Sequence, residues 1–86
     1  MEHIIPGNYS ITFTLNSTVE KNTTFTIKFN SGKCVVLNKT VNNDLNRDYI
    51  TFSINVKNFY SNVIYIAYLK NQDVNIKNIK ITQLNA

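Results

Sequence analysis

Nucleophilic, acid–base and metal chemistry have few places to reside in this chain. Its one histidine, His3, lies beside the N-terminus, and its one cysteine, Cys34, is followed directly by Val35 and Val36. A catalytic centre needs a nucleophile, a base or a metal within mutual reach. Cys34 sits in an apolar run that reads as a strand, so its thiol reads as a small buried hydrophobe rather than an activated thiolate. Among the five acidic residues, Asp44 and Asp48 share one loop, while Glu2, Glu20 and Asp73 stand apart. No catalytic residues and no cofactor are expected, and the chain is not read as an enzyme.

The loop Asn42-Asn43-Asp44-Leu45-Asn46-Arg47-Asp48 carries oxygen-bearing side chains at 42, 44, 46 and 48. That spacing is the start of a calcium loop. The glycine such a loop needs at its sixth position is Arg47 here, and the bidentate glutamate at its twelfth is Ser53, so the EF-hand reading fails. An ordinary polar turn is expected, with a less formal calcium site near Asp44 and Asp48 as the alternative. Sequons at Asn8, Asn16, Asn22 and Asn38 carry little information in a chain with 15 Asn and 14 Ser and Thr.

Aromatic side chains are the remaining lead. Phe13, Phe25, Phe29 and Phe52 fall in phase with neighbouring aliphatic positions and read as core. Tyr49, Tyr60, Tyr65 and Tyr68 are the candidate ligand-facing aromatics, with Asn62 as a hydrogen-bonding neighbour. Tyrosines that reach the surface of a sheet among Asn, Thr and Lys can stack on sugar rings and bond their hydroxyls. The competing reading is that they seal sheet edges or a subunit contact.

The elements that must position these residues are strands. Tyr9, Ile11, Phe13 and Leu15 alternate with Ser10, Thr12 and Thr14; Phe25, Ile27 and Phe29 alternate with Thr24, Thr26 and Lys28; Ile50, Phe52, Ile54 and Val56 alternate with Thr51, Ser53, Asn55 and Lys57. Period-two alternation of this kind marks half-buried strands of antiparallel sheets. Residues 33–41 follow the turn signal Asn30-Ser31-Gly32 and read as the return arm of a hairpin. Val63 to Leu69 is apolar on both parities, as for a central strand covered on both faces. In the last segment Val74 and Ile76 are out of phase with Ile79 and Ile81, which places a bulge near Asn78.

No segment carries a helical period of three turns. The 15 Asn against 2 Gly are expected mainly in turns, where Asn tolerates the left-handed region. Six to seven short strands over 86 residues predict a small all-β antiparallel sandwich, jelly-roll or Ig-like, forming a single domain over 1–86. Residues 1–7 are expected to be flexible.

The net charge of +4 comes from nine basic residues spread along the chain, with no cluster of the kind that neutralises several phosphates together. Nucleic acid is not an expected partner. The longest apolar stretch has seven residues and is too short to span a bilayer, and the N-terminus shows neither a basic nor an apolar signal region. The expectation is a cytoplasmic protein or a module of a longer one.

The ending Asp73-Val74-Asn75-Ile76-Lys77-Asn78-Ile79-Lys80-Ile81-Thr82 resembles the last strand of jelly-roll carbohydrate-binding modules and galactose-binding-like domains, whose closing phrase runs V-x-I-D-N-V/I-x-I/L with a bulge at the Asn. The opening Tyr9 to Leu15 and the central Tyr49 to Ile54 follow the same order of strands. Lys77 replaces the family's Asp, and the chain has no Trp, the usual sugar platform of those modules. The resemblance implies a noncatalytic glycan-binding or accessory module of a carbohydrate-active or cell-surface protein. The residues themselves leave a second reading open: a structural module that assembles with its own copies or with a neighbouring domain.

Overall fold

The computed structural model describes residues 3–84. Seven strands form within them: β1 (Gly7–Leu15), β2 (Thr24–Asn30), β3 (Cys34–Thr40), β4 (Tyr49–Val56), β5 (Asn62–Leu69), β6 (Gln72–Asp73) and β7 (Ile76–Leu84). All pairings are antiparallel. One sheet has the order β4-β1-β7 and the other β3-β2-β5-β6. The two pack as a small β-sandwich whose radius of gyration, 13.0 Å, is near the value of roughly 12 Å expected for a chain of this length.

Alternation decides which side of each strand is buried. Ile11, Phe13 and Leu15 of β1 meet Phe25, Ile27 and Phe29 of β2 across the sandwich, joined by Ile54, Val56, Val63 and Ala67. Phe13 lies at the centre, with ring centroids 4.7 Å from Phe25, 6.0 Å from Phe52 and 5.9 Å from Tyr65. Each fully buried side chain of this size contributes about 1.5–3 kcal/mol of transfer free energy.

The connections hold this pairing. Val19 is buried; its N–H donates to the Arg47 carbonyl and its own carbonyl accepts from Leu45. The segments before β2 and before β4 are thereby pinned together. The carboxylate of Asp44 accepts the Lys21 N–H at 2.8 Å, so one oxygen of the loop considered for calcium is engaged in holding these two segments. Asn22, Asn46 and Asn71 have positive φ, the role expected for Asn in a Gly-poor chain. Lys70 and Asn71 are consecutive at φ 53° and 62°, the type I′ conformation that joins β5 to β6 in two residues.

The anticipated bulge is present. Thr14 pairs with Asn78 and Leu15 with Ile76, so Lys77 is the extra residue. This inserted residue returns Ile79 and Ile81 to the inner face. Within the segment expected to be flexible, Ile4 is buried and exchanges backbone hydrogen bonds with Tyr60 at 2.9 and 3.0 Å; residues 1 and 2 lie outside the described part.

Two expectations are corrected. Cys34 is exposed rather than buried, because it begins an edge strand and pairs with Asn30 at the end of the sheet, on its outer side. β5 is covered on one face only. Val63 and Ala67 are buried on the inside, but Ile64 and Tyr68 on the other parity are exposed, because no element among the described residues packs over that face.

Candidate functional site

The structure separates the candidate tyrosines. Tyr49 is the first residue of β4, exposed on the outer face of the three-stranded sheet. The Arg47 guanidinium carbon stands 5.0 Å from its ring centroid, and Arg47 Nε donates to the Tyr49 carbonyl at 3.0 Å. Tyr68 lies on the outer face of the four-stranded sheet, opposite Thr24 and Asp73. Asn62 shares that face at the other end of β5, six residues away and therefore about 20 Å along the strand.

The other two tyrosines pack against core residues with part of their surface exposed. Tyr65 has the parity of Val63 and Ala67 and points inward against Phe13. Its hydroxyl is buried with no hydrogen-bond partner among the described residues, and desolvation pushes its pKa up to about 12. Tyr60 is half-buried, with its ring 5.2 Å from Phe29 and its backbone paired to Ile4. One binding platform built from Tyr49, Tyr60, Tyr65, Tyr68 and Asn62 is therefore not formed.

What the topology assembles instead is two contrasting outer faces. On the three-stranded sheet, Asn8, Ser10, Thr12 and Thr14 of β1 stand between Tyr49, Thr51, Ser53 and Asn55 of β4 and Asn78, Lys80, Thr82 and Leu84 of β7. Cross-strand bonds tie this polar surface together: Thr12 to Thr51 between hydroxyls at 2.8 Å, and Asn55 to Asn8 between amides at 2.7 Å. It is a lawn of hydroxyls and amides with one aromatic corner.

On the four-stranded sheet the register aligns Val36 with Lys28 and Ile64, then Asn38 with Thr26 and Ile66, then Thr40 with Thr24 and Tyr68. Val36 is 45% exposed, Ile64 43% and Tyr68 36%. Thr26, at the middle of this face, is buried between its neighbours and donates to Asn38 at 2.7 Å. The result is an apolar row along β5, made of Ile64, half-buried Ile66 and Tyr68, with Val36 on the same face but separated from Ile64 by Lys28. Val36, Ile64 and Ile66 are absent from the sequence-derived candidates. The signal for Ile64 and Ile66 was the double-parity run Val63 to Leu69, which reads as a strand covered on both sides although its outer face carries the exposed Ile64 and Tyr68.

Among the described residues no group of three or more His, Cys, Asp or Glu side chains is placed to hold a metal ion, and no helix is long and apolar enough to cross a membrane. Comparisons with protein-family models, with curated proteins and with solved structures returned no match.

Proposed function

We propose that this domain is a noncatalytic module that joins protein surfaces, working through the outer face of its four-stranded sheet. The observation that supports this is the apolar row of exposed Ile64, half-buried Ile66 and exposed Tyr68 along β5, with exposed Val36 beyond Lys28 on the same side of a half-covered sheet. Contiguous apolar surface of this kind on a small domain marks a contact site more often than scattered single residues do. A flat aliphatic stripe suits a protein surface, since sugar recognition requires polar groups converging on ring hydroxyls.

Ile64→Asp tests the reading, because it places a charge in the stripe without touching the core. Sedimentation of the wild-type chain over a wide concentration range should show association that this substitution weakens, with the circular dichroism unchanged. Sedimentation indifferent to Ile64→Asp contradicts the proposal.

Glycan binding is the second reading, and one observation favours it. Tyr49, backed by Arg47, stands at the corner of the hydroxyl and amide face, where a sugar ring could stack and reach Thr12, Thr14 and Thr51. Calorimetric titration with a panel of soluble polysaccharides, repeated with Tyr49→Ala, checks it. Heat of binding that Tyr49→Ala removes would support this reading, and its absence across the panel would count against it.

A further inference from the structure

Among the described residues the sandwich has four edge strands, and they are not equally guarded. Exposed edges present unpaired N–H and C=O groups and are ordinarily blunted by charge, bulges or shortness. β6 is two residues long. β7 carries the Lys77 bulge and Lys80. β3 carries Lys39, which pairs with Phe25 and so shares the inward parity, a device that discourages a further strand. β4, Tyr-Ile-Thr-Phe-Ser-Ile-Asn-Val, has eight residues with no charge, glycine, proline or bulge, and pairs only with β1 among the described residues.

The direction of its free groups follows from one bond. Leu15 N–H donates to the Asp48 carbonyl at 2.7 Å. In an antiparallel pair such groups alternate sides, so 50, 52, 54 and 56 bond to β1, whereas 49, 51, 53 and 55 point away. The Tyr49 carbonyl is taken by Arg47 Nε. Thr51, Ser53 and Asn55 remain, with no backbone partner among the described residues.

We infer that β4 is a strand-addition edge whose occupant is β4 of a second copy of this chain, paired antiparallel about a two-fold axis at Ser53. The three free peptide positions are centred on Ser53, so this register uses all of them and none that is already engaged. It forms about six backbone hydrogen bonds and sets Ser53 against its copy and Thr51 against Asn55. On the inner face it sets Phe52 against Ile54 and Ile50 against Val56, so apolar residues meet apolar ones and no like charges are opposed. Beside this edge, Phe29, Val35, Leu37, Val56 and Tyr60 line an open cleft of about 190 Å³ between β3 and β4. The incoming Ile50, opposite Val56, extends apolar cover toward it. The axis is perpendicular to the resulting six-stranded sheet, so the two apolar stripes of the proposed contact face point to the same side. The inference does not depend on that face.

Ser53→Pro is the primary test. The Ser53 N–H points away from β1, the one side of an edge strand where proline is tolerated. Light scattering should give a dimer for the wild-type chain and a monomer for Ser53→Pro, while Ile64→Asp should leave this dimer intact and remove only the further association of dimers through the contact face. In a Cys34→Ser background, Ser53→Cys should form an interchain disulfide on mild oxidation, since residues paired this way lie about 5.5 Å apart between Cα atoms. Cysteine at Ser10, on the same outer face one strand away, should cross-link at least about tenfold more slowly. A wild-type monomer at millimolar concentration overturns the inference. So does equal cross-linking from positions 10 and 53, which still decides the matter if Ser53→Pro fails to fold.

Discussion

Arg47 and Tyr49 form a two-point clasp at the head of β4: Nε holds the Tyr49 carbonyl at 3.0 Å, and the guanidinium lies 5.0 Å from the ring centroid. The clasp satisfies the first outward peptide of an otherwise open edge. Arg47→Ala should cost less than about 1 kcal/mol in urea denaturation, because both contacts are solvent-exposed. It should also increase acrylamide quenching of tyrosine fluorescence. A larger loss of stability would mean that the clasp holds the loop preceding β4 rather than only its first residue.

The buried hydroxyl of Tyr65 is a cost that the fold carries. Tyr65→Phe should stabilise the protein by about 1 kcal/mol, since it removes an unpartnered polar atom and keeps the ring against Phe13. Its pH dependence has a definite sign. With the folded pKa pushed from 10.0 up to about 12, the unfolded chain loses this proton first, and stability falls as pH rises from 10 towards 12. Thermal melts in that window should show a shallower decline for Tyr65→Phe than for the wild type.

Phe13 touches aromatic rings from three strands, so its truncation leaves a cavity that no single neighbour can fill. Phe13→Ala should cost about 3–5 kcal/mol, a large part of the stability of a domain this small. Loss of the cooperative thermal transition in calorimetry is the expected result.

The Lys70-Asn71 turn places two non-glycine residues at positive φ. Replacing the pair by Asn-Gly, the preferred type I′ sequence, should raise stability by about 1 kcal/mol, as measured by the shift in urea midpoint.

The strands were legible because one residue type after another obeyed a period of two. Phe13, Phe25 and Ile54 stand on the buried side that alternation assigned to them, and the phase change around Lys77 marked the bulge. Asn22 and Asn71 showed that Asn occupies positions where glycine was lacking. The candidate site was less legible, because parity within a strand does not say which faces find cover. Tyr65 and Tyr68 differ in parity along β5, but only the sheet order shows that the Tyr65 face is the core. The same blindness hid Ile64 and Ile66, whose hydrophobicity implied a covering layer that the described residues do not supply. Cys34 was misjudged for a related reason: apolar neighbours suggested burial, and its place at the end of an edge strand exposed it.

The central claim is that the outer face of the four-stranded sheet is a contact surface, and amide NMR of the chain from micromolar to millimolar concentration tests it most directly. Concentration-dependent shifts should gather on Val36, Ile64, Ile66 and Tyr68 and disappear in Ile64→Asp. Shifts absent from these four residues throughout that range would contradict the account.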